Sequence, residues 1–179
     1  MALPSGVSKD SVRAVYEALA GGAGVIATAS FTPVAEAYSA GDVVNVAKQF
    51  SWTFTRSGIA VPGGSTIRVL TSEVRIDATA VIASETSYTL HKYSRTPPSA
   101  QANNDAWTLA SADLPYYKDA LALGTVVDKG AAVWIKTGGH NLDIDLESGV
   151  TSTFGVLVTV GATTLAAVAR QIKLIGIVL

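Results

Sequence analysis

From residue 24 to the C-terminus, apolar and polar residues alternate with a period of two, and turn-forming residues break the alternation at short intervals. Phe50, Trp52 and Phe54 alternate with Ser51, Thr53 and Thr55, which predicts one apolar face for all three rings. Tyr88, Leu90 and Lys92 share another parity, and Leu142, Ile144 and Leu146 alternate strictly with Asp143, Asp145 and Glu147. Val43, Val44 and Val46 follow the turn Ser39-Ala40-Gly41-Asp42. Phe154, Val156, Val158 and Val160 form a further strand, and an apolar run from about Val168 to Leu179 closes the chain. Gly63-Gly64, Asp128-Lys129-Gly130 and Thr137-Gly138-Gly139-His140-Asn141 read as turns, and Pro97-Pro98 ends a strand because proline cannot donate to a ladder. Ile67 and Val69 share one parity and Val74 and Ile76 the other, which predicts a bulge near Leu70–Ser72. Residues 116–123 fit no single pattern.

Only one stretch has helical period. Val12, Val15, Tyr16 and Leu19 fall at i, i+3, i+4 and i+7, with Ser8 as N-cap, Asp10 in the first turn and Gly21-Gly22 as the stop. Such a helix either covers its own domain or docks as an arm on a neighbouring subunit. The expected fold is therefore all-β: about eight to ten short strands in an antiparallel β-sandwich or jelly roll with a short N-terminal amphipathic helix. Residues 1–29 form an N-terminal arm with the helix at 8–20, and residues 30–179 the β-sandwich domain.

Composition narrows the function classes. Charged residues make up 15% of the chain and apolar residues 49%, with a mean hydropathy of +0.36. So little charge implies that partners cover part of the surface. A net charge of −1 offers no basic excess to neutralise phosphates, which argues against nucleic-acid binding. The absence of cysteine removes disulfides, thiolate metal sites and thiol catalysis. No signal-peptide pattern stands at the N-terminus, so cytoplasmic synthesis is expected. Residues 154–169 are nearly uncharged, but they alternate and contain Gly155 and Gly161, so they read as strands rather than a membrane span.

Chemical motifs are weak throughout. Gly22-Ala23-Gly24-Val25-Ile26-Ala27 has the letters of a dinucleotide fingerprint, but a helix precedes it and extended chain follows, the reverse of what pyrophosphate binding needs. Asp143, Asp145 and Glu147 lie about 6.6 Å apart along one strand face, too far for all three to hold one ion. They read as a solvated face, and no metal or other cofactor is expected. His91 and His140, the only histidines, read as ordinary polar residues, with no G-x-S-x-G elbow in the chain. No catalytic residue is assigned. Trp52 is expected in the core. Trp134 shares a face with Lys136 and is expected to point outward, which makes it an interface candidate together with Val12, Val15, Tyr16 and Leu19.

Asn104-Asp105-Ala106-Trp107-Thr108-Leu109, followed by Ala112-Asp113, resembles a run in virion structural proteins of tailed bacteriophages. Ala37-Tyr38-Ser39-Ala40-Gly41-Asp42-Val43-Val44 resembles an earlier element of the same group, and Ser152-Thr153-Phe154-Gly155-Val156-Leu157-Val158 a late strand. The order and spacing agree over about residues 30–179, while the helix at 8–20 is not part of the pattern. The resemblance implies a β-sandwich without a catalytic site, in which Gly41 serves a turn, Asp42 closes it and Trp107 fills a gap between sheets. It implies a head decoration or cement protein of the virion, assembled in the host cytoplasm. Its partner would be the major capsid protein, and it would act as a homo-oligomer such as a trimer with residues 1–30 reaching a neighbour. The competing readings are a carbohydrate- or receptor-binding module of a tail or fibre, using Trp134, and a hydrolase.

Overall fold

The computed structural model of the chain describes residues 24–82, 85 and 87–179. The predicted helix at 8–20, with Val12, Val15, Tyr16 and Leu19, lies outside the described residues. Those residues hold β1 (Gly24–Phe31), β2 (Ala37–Tyr38), β3 (Val43–Ser51), β4 (Thr53–Phe54), β5 (Thr66–Ile76), β6 (Ser87–Tyr93), β7 (Tyr117–Thr125), β8 (Val127–Asp128), β9 (Val133–Asp145), β10 (Ser152–Thr159), β11 (Thr163–Thr164) and β12 (Arg170–Val178). A six-stranded sheet runs β4-β1-β12-β5-β9-β8, a four-stranded sheet runs β3-β10-β6-β7, and β11 pairs with β2. Every pairing within these sheets is antiparallel. The architecture is an all-β, two-sheet arrangement of the β-sandwich kind, as the alternation predicts.

One apolar core joins the two sheets. Val25, Phe31, Ile67, Val74, Ile172 and Leu174 come from the six-stranded sheet, and Phe50, Tyr88, Leu90, Leu121 and Leu157 from the other. Phe50, Trp52 and Phe54 are all buried, as expected, but they do not lie on one strand. Phe50 lies near the end of β3 in the four-stranded sheet and Phe54 belongs to β4 in the six-stranded sheet. Trp52 stands at the crossing, where its indole Nε1 donates to Thr153 Oγ1 at 3.1 Å. It is thus the tryptophan that ties the sheets together.

The expected bulge in β5 is present. Val69 pairs with Leu142 and Thr71 with Gly138, so Leu70 faces three residues of β9. Those three, Gly139, His140 and Asn141, belong to the segment read as a turn. β9 instead runs unbroken from Val133 to Asp145. Positive φ at Gly139 and Asn141 absorbs the extra length, and Ser72 Oγ lies 2.9 Å from His140 Nε2 across the bulge. A positive φ reverses a chain only when its flanks pair with each other; here both flanks pair with β5.

Two charged groups lie in the interior. Lys92 has the inward parity of Tyr88 and Leu90 and is fully buried. Its Nζ sits 3.9 Å from the centroid of the Phe50 ring and donates to Thr153 Oγ1 at 3.0 Å. Arg170 and Glu85 form a buried ion pair, with Nη2 to Oε2 at 2.9 Å and Nε to Oε1 at 3.1 Å. The Tyr88 hydroxyl donates to Glu85 Oε1, and burial raises its pKa.

Candidate functional site

The three segments that carry the virion resemblance, far apart in sequence, meet at one corner. Gly41 adopts φ +89 in the turn before β3, and the Asp42 carboxylate closes that turn by accepting from the Ser39 N–H. From the second segment, Asn104 N–H donates to Val43 O, Val43 N–H to Asp105 O, and Trp107 N–H to Gly41 O, each at 2.8–2.9 Å. Directly after the third, Thr159 N–H donates to Asp42 O, and Gly41 N–H returns to Thr159 O. Val43 and Val44 continue this contact as the β10 partners of Val158 and Leu157. Gly155 completes the motif for a packing reason: a Cβ there would lie 2.8 Å from Leu90 Cδ1 and 2.9 Å from Phe50 Cε2.

Beyond the corner, the chain from Ser94 to Tyr116 passes over the outer face of the four-stranded sheet as a strap. Under it lies a second apolar cluster of Val43, Tyr93, Val156 and Val158, packed by Trp107, Leu109 and Tyr116. Trp107 therefore covers the outside of one sheet; it does not fill the space between the two. Its ring stacks on His91 at 3.5 Å between centroids and 16° between planes, and its Nε1 donates to the Tyr93 hydroxyl at 3.3 Å. His91 Nδ1 lies 3.2 Å from Tyr117 Oη. Burial draws the His91 pKa down to about 4, against the opposing pull of Asp119, and burial raises both Tyr93 and Tyr117. A cavity of about 230 Å³ opens beside the strap, lined by Val46, Ala47, Tyr93, Pro97, Gln101 and Val156 among others.

The remaining predicted residues are dispersed. Trp134 is half-buried on the outer face of the six-stranded sheet, paired with Arg75 on one side and Val127 on the other. It is far in topology from the strap, at the opposite outer face of the sandwich. Asp143 is engaged by Arg68 in a two-pronged ion pair at 2.7 Å, Asp145 accepts from Thr66 Oγ1, and Glu147 from Ser94 Oγ. Three separate partners explain the acidic row, and no cluster of metal-ligating side chains occurs among the described residues. Ser72, beside His140, is fully buried.

Sequence reasoning passed over Lys92, Asn103 and Tyr117. Parity already placed Lys92 inward. Asn103 carried no signal beyond its place in a polar loop. Tyr117 lay in the stretch whose pattern is mixed, because β7 is an edge strand with one face against the core and the other beneath the strap. No family model and no curated protein matches this chain.

Proposed function

We propose that the chain is a structural protein of a tailed-bacteriophage virion, a head decoration protein that binds the outer surface of the capsid and stabilises it. The observation that supports this reading is the corner, where the three segments resembling the virion group come together through hydrogen bonds and strand pairing. The strand order supports a jelly roll. Counting only the eight long strands, the first, eighth, third and sixth make one sheet and the second, seventh, fourth and fifth the other. That is the order of two interlocked Greek keys, an architecture shared by viral capsid and lectin domains. The fold alone admits both a virion role and a glycan-binding one.

Its partner in this reading is the major capsid protein, and the working form is a homo-oligomer such as a trimer carried on the virion. Binding would come from apolar area buried across subunit junctions, about 25 cal/mol per Å² before association costs. Exposed Val34, Val46 and Leu114, with half-buried Trp134, are available for such contacts. Capsids lacking the chain should take it up saturably in co-sedimentation and gain resistance to heat. Failure to bind, or binding without any gain, would remove the cement role. The second reading, a carbohydrate- or receptor-binding module, rests on the jelly-roll order and Trp134; a glycan array with no binding would eliminate it.

A further inference from the structure

The outer face of the six-stranded sheet carries its side chains in rows set by the strand register. One row runs Ser30, Gln171, Arg75, Trp134 and Val127 across β1, β12, β5, β9 and β8. The next runs Thr28, Lys173, Glu73 and Lys136. Neighbouring strands stand about 4.8 Å apart and the two rows about 7 Å apart, so side chains of both can meet one ligand. Ile172, Val74 and Val133 take the inward parity and are buried. Within the two rows three cations, Arg75, Lys136 and Lys173, face one carboxylate, on a chain whose net charge is −1. That carboxylate, Glu73, lies 3.4 Å from each lysine. Arg75 is exposed, and its guanidinium has no ion-pair or hydrogen-bond partner among the described residues. It stands between Gln171 and the half-buried indole of Trp134. Of the nearby acids, Asp128 accepts from the Gly130 N–H and Asp77 lies beyond the end of β5.

The chemistry of the row selects its ligand. A guanidinium pairs with a planar carboxylate through two parallel N–H···O bonds. An indole offers a flat apolar face with one N–H at its edge. Gln171 and Ser30 both donate and accept, as hydroxyl groups require. β12, β5 and β9 have a strand on each side here, so their backbone groups are already paired and only side chains reach outward. A peptide would bring unpaired amides to such a face, whereas a sugar acid brings hydroxyls, a carboxylate and a flat C–H face. We infer that this row is a binding site for a saccharide carrying a carboxylate, with the sugar ring on Trp134, the carboxylate on Arg75 and ring hydroxyls on Gln171. The site deepens the carbohydrate-binding reading, on which it rests, by naming the class of sugar.

An array holding neutral oligosaccharides beside oligogalacturonate and sialyllactose tests the site and the reading beneath it together. The full chain should be captured by a carboxylated member, and less as salt rises. Methyl esterification of that sugar, which removes the charge and keeps the rings, should abolish capture. Arg75→Gln, an exposed substitution, should weaken binding roughly fivefold, the upper end for an exposed ion pair. Glu73→Gln should strengthen it, because it frees Lys136 and Lys173. In solution the carboxylated sugar that binds, oligogalacturonate or sialyllactose, should shift the indole N–H signal of Trp134. The signals of Trp52 and Trp107, whose N–H groups donate to Thr153 and Tyr93, should stay in place. Equal capture by neutral sugars, an unchanged Arg75→Gln or an unshifted Trp134 would overturn the inference and leave the carbohydrate-binding reading standing. No capture by any sugar would overturn both.

Discussion

The Tyr38 hydroxyl donates to Asn103 Oδ1 at 2.9 Å, joining residues 65 apart in sequence. The same oxygen accepts from Asn45 N–H at 2.7 Å, and Asn103 Nδ2 donates to Glu36 Oε1 at 2.7 Å. One amide thus fixes the start of β3, the short β2 and the strap. Asn103→Leu leaves Tyr38 and the Asn45 amide without this acceptor, and it should destabilise the fold by about 2 kcal/mol. Urea unfolding monitored by tryptophan fluorescence would measure this, and a loss under about 0.5 kcal/mol, the level of an ordinary surface substitution, would contradict it.

Lys92 should be a liability for stability. Burial pushes its pKa well below the usual lysine value, so between the folded and unfolded values the unfolded chain holds more protons than the folded one. The unfolded state therefore binds the extra proton, and stability rises with pH until the unfolded lysine itself titrates near 10.5. Lys92→Met keeps the inward apolar stem, while Thr153 Oγ1 retains the Trp52 donor. The variant should gain on the order of 2 kcal/mol at neutral pH and lose the alkaline rise. Equal melting temperatures at pH 7 would refute this.

His91 adds an acidic dependence of the same sign. Its folded pKa of about 4 lies below the unfolded value of 6.5, so between the two only the unfolded chain takes up the proton. The contribution is complete above pH 6.5 and fades as pH falls through 6.5 towards 4. The stability lost between pH 7 and pH 4.5 should be about 2 kcal/mol greater in the parent than in His91→Phe, because carboxylate titration is common to both. Parallel pH profiles would show that the imidazole under Trp107 does not titrate as its burial requires.

Breaking the Glu85–Arg170 pair should be the most damaging of these changes. Arg170→Met leaves a buried carboxylate without its guanidinium and should cost about 3–5 kcal/mol. Because the remaining penalty is the unpaired charge, Arg170→Met with Glu85→Leu should recover part of it. If the double variant is no more stable than the single one, the loss arises from packing around Arg170, which also donates to the carbonyls of Ala166 and Val168.

The acidic row and the tryptophans mark where sequence reasoning reaches its limit. Strand parity was enough to place Phe50, Trp52, Ile144 and Leu146 inward and to locate the bulge at Leu70, because side chains on successive strand residues point to opposite faces whatever the partner. It could not say that Trp52 sits between two sheets, since changing sheet leaves the alternation intact. Trp107 was expected to fill a gap between sheets; its indole instead lies on His91, outside the four-stranded sheet, because strap and strand meet only through long-range pairing. The segment Thr137–Asn141 has the composition of a turn but is kept within β9 as a bulge, because the residues on both sides of Gly139–Asn141 pair with β5.

By itself, then, the sequence determined the all-β character, the face of most strand residues and the local turn at Gly41, since these depend on backbone sterics and on nearest neighbours along the chain. The tertiary structure alone decided which strands pair, which tryptophan joins the sheets, and that the Tyr38, Asn103 and Phe154 segments share one corner. Those outcomes depend on hydrogen bonds and apolar contacts between residues dozens of positions apart, and no local pattern in the chain encodes the partner.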